Sequence, residues 1–296
     1  YTNPNPIALA MMDDILLDRQ KLTGNIFFEV TPIKNLVWHA ELGYDISSSK
    51  GERYKPMVDL GGWVRSSNES NIQKNSSTFW QLKNYVTYSG NIGDKHHYTA
   101  MVGQECWESS YDFTSVFNSG LPSDEVHNPA LGTGTPTINA GFGSSSMASF
   151  FTRLTYNYAD RYFIEYNGAY NGSEKFSPEN RFAFFNSGAI GWMISEEPFM
   201  KFFREKKIID MLKVRASYGE IGSDQLGDPF DSSRRWLYMN QWAYGGHTTM
   251  DLDHTESIYT WYRESAIGNK DIQWEVVKKL NVGIDYSFLE GLFAGS

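Results

Sequence analysis

Few side chains in this sequence stand at spacings that could carry chemistry. His39 and Glu41 share one face of a strand-like stretch, His96 and His97 adjoin, and Asp251, Asp253 and His254 crowd the stretch DLDH. An imidazole beside a carboxylate can move a proton, yet no H-E-x-x-H, G-x-S-x-G or P-loop spacing occurs. The reading is therefore not an enzyme, with no catalytic residue, and His39 reads as a polar group facing a wet interior. Two acids at alternate positions could offer oxygens to a hard cation. Such pairs are commonplace in a wet loop, so neither a metal nor a cofactor is expected. Cys106 is the single cysteine, which allows no intrachain disulfide and no cysteine cluster, and it reads as an inert strand residue.

The denser grouping is aromatic. Residues 222–270 hold Trp236, Tyr238, Trp242, Tyr244, Tyr259, Trp261 and Tyr262, with Arg234, Arg235, Asp251 and Asp253 nearby. Flat rings with polar neighbours suit stacking on sugar faces or gripping a peptide's side chains. Packing of the loop on itself, or against a covering protein, would also account for them, because a long loop needs some core of its own. The residues expected to touch a substrate are Trp236, Tyr238, Trp242, Tyr244, Tyr259, Trp261, Arg234 and Asp251.

The elements that would position these side chains are strands. Residues 148–158 (ASFFTRLTYNY) carry Phe150, Leu154, Tyr156 and Tyr158 on one face and Arg153, Thr155 and Asn157 on the other. That is a period of two. After a turn at Ala159 and Asp160 the next strand repeats it, with Tyr162, Ile164 and Tyr166 against Glu165 and Asn167, which reads as a hairpin. Aromatics make up 16% of the chain, while no apolar run approaches the roughly 18 residues of a membrane helix. A helical membrane protein is excluded, whereas a transmembrane barrel hides its hydrophobicity in alternation. A net charge of −9 argues against nucleic acid as a partner.

In chain order, residues 1–17 read as the tail of a loop, and strands are expected at 21–30, 36–46, 79–90, 96–107, 148–158, 161–171, 181–194, 212–222 and 271–288, with a tenth just begun. Residues 47–77, 108–147 and 222–270 read as long polar loops. SEEPFMKFFREKKIIDML should cross between two strands through one or two helical turns. Short connections alternate with longer ones, as in outer-membrane barrels with short periplasmic turns and long external loops. Aromatics gather on the apolar faces near the short turns: Phe28 and Trp38, Tyr88 and Tyr98, Tyr158 and Tyr162, Trp192, Tyr286. Rings with one wet end suit a bilayer interface.

Four stretches carry a family resemblance: NYADRYFIEYNGAYNGSEKFSPENRF, SGAIGWMISEEPFMK, IDMLKVRASYGEIG and IQWEVVKKLNVGIDYSFLEG. In order and spacing, over about residues 145–292, the sequence resembles the SusC-like (SusC/RagA) TonB-dependent transporters, and residues 18–106 resemble the preceding strands less specifically. Two departures stand at loop edges: Asn171 where an aspartate is expected, and Gly222-Ser223-Asp224 in place of a Gly-Asn pair. The resemblance implies an all-β fold, about ten strands of a 22-stranded antiparallel transmembrane barrel in the Gram-negative outer membrane. Residues 1–296 would be one part of that barrel, with the plug domain, the TonB-binding segment and the export signal outside the chain. It implies active import of an oligosaccharide or a peptide. The implied partners are a SusD-like lipoprotein, the TonB complex and membrane lipid with lipopolysaccharide. A structural or adhesive barrel that does not transport, or a soluble glycan-binding β protein, are the alternatives.

In a barrel the polar strand faces look into a hydrated, plugged lumen, which assigns Arg153, Glu165, Lys213, Arg215, Glu275, Lys279 and Asp285 there. On lipid, an Arg or Lys at the midplane would cost roughly 2 to 4 kcal/mol. Lys278 falls on the apolar face between Val276 and Leu280, so either a bulge shifts the register there or the side chain snorkels to an interface.

Overall fold

The computed structural model describes residues 6–7, 12–226, 236–252 and 255–296. Its strands are β1 (Asp14–Ile33), β2 (Leu36–Lys55), β3 (Val58–Asp59), β4 (Val64–Arg65), β5 (Glu69–Ile92), β6 (His96–Ser119), β7 (Thr137–Tyr158), β8 (Tyr162–Ser173), β9 (Phe182–Met193), β10 (Ile209–Ser223), β11 (Gln241–Leu252), β12 (Thr255–Ala266), β13 (Glu275–Phe288) and β14 (Phe293–Gly295). Ten of them pair in one sheet in the order β1-β2-β5-β6-β7-β8-β9-β10-β13-β14, while β3–β4 and β11–β12 are separate two-stranded hairpins. The ten expected strands are present in the expected order, and the crossing from β9 to β10 holds two short 3₁₀ segments and a one-turn helix, Lys201–Glu205.

Three expected loops are corrected. Much of 47–77 and 108–147 is strand: β2 runs on to Lys55, and β5 and β6 each span 24 residues, where about 9 to 11 would cross a bilayer. Residues 222–270 contain the β11–β12 hairpin. β1 likewise begins at Asp14, inside the expected loop tail. The extensions escaped a pattern reading because Ser, Asn, Lys and Glu stand at most positions of both faces, so no alternation marks them. What holds them is the backbone ladder, with polar side chains paired across it: Asn75 to Ser49 at 3.2 Å, Ser76 to Asp112 at 2.5 Å and Ser115 to Asn71 at 2.9 Å.

The chain divides into two compact units, Tyr1–Phe27, Glu41–Leu82 and Trp107–Ser146 forming one, Phe28–Ala40, Lys83–Cys106 and Met147–Ser296 the other. In the first, a buried asparagine ties two loops together. The Asn68 side chain accepts from the Leu121 N–H at 2.6 Å and donates to the Leu121 carbonyl at 3.1 Å, standing in for a strand neighbour. Beside it the Tyr54 hydroxyl donates to Asp124 at 2.5 Å, and the Tyr54 ring stacks on His127 with centroids 4.1 Å apart. Burial, with the Asp124 carboxylate adding to it, pushes the Tyr54 hydroxyl up to about 12.

In the second unit the register sorts the side chains into rows. Tyr156, Ile164, Ile190, Ala216 and Val282 stand directly opposite one another across five strands, and so do Tyr158, Tyr162, Trp192, Val214 and Ile284. The interleaved rows are mostly polar or small: Thr155, Glu165, Ala189, Ser217 and Asn281 form one, and Asn157, Phe163, Gly191, Arg215 and Gly283 the other. The apolar face lies open, with Leu280 71% and Val282 72% exposed, which no sandwich core would allow. At the tight turn after β7, Ala159 and Asp160 take φ of 54° and 55°, the left-handed pair that a two-residue hairpin turn requires. The Ala159 N–H bonds the Lys95 carbonyl at 2.6 Å, Met193 bonds Arg161 at 2.7 Å and Leu289 bonds Ile208 at 3.2 Å, so neighbouring connections are stitched to one another.

Replacing Asn68 by Ala leaves the buried Leu121 N–H and carbonyl without partners, a loss of about 1 to 3 kcal/mol. The Leu121 amide is expected to exchange its hydrogen correspondingly faster, while amides in β8 and β9 keep their protection.

Candidate functional site

The described aromatic residues of 222–270 sit on an arm whose core element is a hairpin. Its base is tied to a small core of Phe176, Phe185 and Trp274, which Met147, Leu226 and Ile272 pack against. The Trp274 indole donates to the Arg181 carbonyl at 3.0 Å, and Ser177 and Asn180 both donate to the Lys270 carbonyl at 3.0 Å. Ser173 donates to Asp224 at 2.8 Å and Lys175 pairs with it at 3.1 Å. The two legs of the arm meet where the Asn269 N–H bonds the Leu237 carbonyl at 2.7 Å and the Gly268 N–H bonds the Asn240 side chain at 2.8 Å.

From there β11 and β12 run as a hairpin that separates the rings onto two faces. Trp242 stands opposite Glu264 and Tyr244 opposite Tyr262, and His247 joins them opposite Thr260 after a bulge between Tyr244 and Gly246. Tyr244 meets the Tyr262 ring edge-to-face at 6.3 Å and the His247 ring at 5.4 Å. Trp261 and Tyr259 alternate to the other face. There the Trp261 ring lies over Gly245, where a Cβ would fall 2.1 Å from it, and Gly246 takes a φ of +129°. Only glycine fits both demands, so the glycine pair is what admits the indole. Trp242, Tyr244 and Tyr262 are more than half exposed.

Of the eight residues expected at a substrate, Trp242, Tyr244, Tyr259 and Trp261 come together on this hairpin, divided between its faces. Trp236 and Tyr238 lie in the turn leading into it, Asp251 is in β11 at the hairpin's tip opposite Glu256, and Arg234 lies outside the described residues, as do Arg235, Asp253 and His254. The charged strand residues share the polar face. Arg153 pairs with Glu165 and Arg215 with Asp285, each at 3.2 Å, while Glu275 and Lys279 follow the same alternation on β13, opposite Ser223 and Gly219. The Lys213 ammonium lies 4.9 Å from the centre of the Phe163 ring. His39 stacks on Tyr85 at 4.7 Å and approaches Glu29 at 3.6 Å.

No bulge shifts the register at Lys278. The pairing of β10 with β13 is unbroken from Met211 to Ser223, and Lys278 stands directly opposite Glu220, 3.3 Å away. Its partner belongs to a strand more than fifty residues earlier, so only the register reveals it.

Sequence reasoning also missed a carboxylate. Glu197, buried at the start of the β9–β10 crossing, accepts from the Tyr162 hydroxyl at 2.6 Å and the Trp192 indole at 3.0 Å and faces Arg161 at 3.7 Å. Both rings belong to the turn-side aromatic row, where Tyr158, Tyr162 and Trp192 lie side by side at 6.2 and 6.5 Å. The expected pairs Phe28–Trp38 and Tyr88–Tyr98 also touch, at 5.0 and 6.0 Å. Two of these polar tips therefore point to a protein carboxylate. The Tyr162 hydrogen bond, then that of Trp192, holds the Glu197 carboxyl below its ordinary value of 4.5.

The fold superimposes on the structure of the RagAB peptide transporter with a TM-score of 0.80 at 23% identity, over 95% of this chain and 29% of that one. Against the RagAB peptide importer in its open-open state the TM-score is 0.81 at 22% identity. No family model matches the sequence. The chain is nonetheless similar along nearly its whole length to TonB-dependent receptors, and among them to SusC of Bacteroides thetaiotaomicron, at 30% identity over 98% of this chain and 28% of SusC. TonB-dependent receptor P26 of Formosa agariphila is 26% identical over 97% of this chain and 28% of its own length. The chain thus spans under a third of the relatives it matches, and these relatives are receptors and transporters rather than enzymes.

Because Glu197 titrates lower in the folded protein than in the unfolded chain, its contribution to stability is complete above the ordinary carboxylate range and disappears as pH falls through the lowered value. Glu197→Gln is expected to lower the thermal midpoint at neutral pH. The gap between variant and parent should narrow as the pH falls below the ordinary carboxylate range, measured by thermal unfolding across a pH series.

Proposed function

We propose that this chain supplies wall strands and external loops of a TonB-dependent importer in the Gram-negative outer membrane, a barrel of about 22 strands around a plug. What carries the reading is the likeness to SusC over 98% of the chain, on a sheet whose apolar face is open. In it the apolar rows meet lipid and lipopolysaccharide, while Arg153, Glu165, Arg215, Glu275, Lys279 and Asp285 face the hydrated lumen and the plug. The β11–β12 hairpin presents Trp242, Tyr244, Tyr259 and Trp261 to an oligosaccharide or a peptide beneath a SusD-like lipoprotein. Energy would come through the TonB complex, engaged by parts of the protein beyond this segment. The exposed apolar rows disfavour a soluble glycan-binding protein.

The test is uptake by cells carrying the full-length protein without residues 241–266. Import of the natural nutrient should stop while the protein still reaches the outer membrane; unchanged uptake would remove the hairpin from the mechanism. Single substitutions Trp242→Ala and Trp261→Ala should each weaken apparent affinity by roughly fivefold, about 1 kcal/mol for one lost ring contact. An oligosaccharide panel and a peptide panel, run side by side, separate the two substrate classes.

A further inference from the structure

The crossing from β9 to β10, residues 194–208, begins tightly built and ends exposed. Ser195 and Glu197 are buried, and Glu197 takes the polar tips of Tyr162 and Trp192. Beyond Pro198 the chain turns outward: Phe199 is 64% exposed, Phe202 57% and Phe203 41%. A water-facing connection has no use for three phenylalanines in five residues. Basic groups are interleaved with them. Lys206 lies over the Phe202 ring at 4.4 Å, Arg204 pairs with Glu196 within the crossing, Lys207 pairs with Glu290, and Lys201 pairs loosely with Glu205 at 3.7 Å, both largely exposed.

We propose that this crossing is an interfacial anchor, setting Phe199, Phe202 and Phe203 into the acyl boundary of a phospholipid leaflet while Lys201, Arg204, Lys206 and Lys207 meet its headgroup phosphates. The proposal rests on reading the sheet as a membrane wall. Three observations select lipid as the occupant. The crossing starts on the rim of the open apolar face, because Glu197 is bonded to rings of the Tyr158–Tyr162–Trp192 row. It sits at the edge of the tight turns, since the Met193 N–H bonds Arg161 and the Leu289 N–H bonds Ile208. Rings flanked by long cationic stems are also the composition of a segment lying in an interface, the rings below and the ammonium groups reaching up to phosphate. In a transporter wall the short-turn edge is the periplasmic one, whose leaflet is phospholipid.

The experiment uses the full-length protein with its native cysteines changed to Ser and single substitutions Phe202→Cys, Ile164→Cys or Tyr259→Cys, each labelled with bimane. All three positions are exposed and open to a label. The proteins are reconstituted in phosphatidylethanolamine and phosphatidylglycerol vesicles and quenched with nitroxide lipids or with aqueous iodide. The label at 202 is expected to lose most of its fluorescence to nitroxide near the headgroup and little to iodide, that at 164 to acyl-chain nitroxide, and that at 259 to iodide. Strong iodide quenching at 202 with lipid quenching at 164 overturns the anchor and leaves the membrane wall standing. Shielding at 202 from both quenchers also overturns it, placing the crossing against protein. Iodide quenching at 164 removes the wall itself, and the anchor with it.

Discussion

The register of the sheet is the constraint on which everything else depends. Because side chains alternate with a period of two, one pairing sets Tyr156, Ile164, Ile190, Ala216 and Val282 in a row and leaves Glu165, Ser217 and Asn281 in the next. A slip of one residue would exchange the faces and put Glu165 and Arg153 among the open aliphatics. Ten strands in an uninterrupted order also leave few backbone groups without a partner, the condition any strand must meet where water is absent.

Two local devices keep the edges of this sheet in place. At the tight-turn edge, Glu197 joins β8, the end of β9 and the crossing that follows through two ring tips and Arg161. A carboxylate held by several donors fixes ring orientation more firmly than water could. Where β9 meets the loops that follow β8 and precede β13, Phe176, Phe185 and Trp274 form a small core, and the β11–β12 arm grows from it. The arm has a packed base, and a glycine bulge lies under Trp261.

The sheet therefore sorts its side chains by face: apolar rows on one, charged pairs such as Arg153–Glu165 and Arg215–Asp285 on the other, while the aromatic arm is a separate hairpin. The similarity to SusC and to the RagAB fold gives this division its context. The chain covers only 28% of SusC.

The sequence by itself determined the ten strands and their order, the two faces of 148–194, the turn at Ala159 and Asp160 and the turn-side aromatics, because alternation and turn chemistry are local properties. Tertiary structure alone decided the length of β5 and β6, the hairpin hidden in 222–270, the Glu220 partner of Lys278 and the role of Glu197. The polar extensions have no contrast between their faces, so only the backbone ladder defines them. Lys278 and Glu220, like Glu197 and Tyr162, are brought together by pairing between distant segments, and no spacing along the chain encodes that contact.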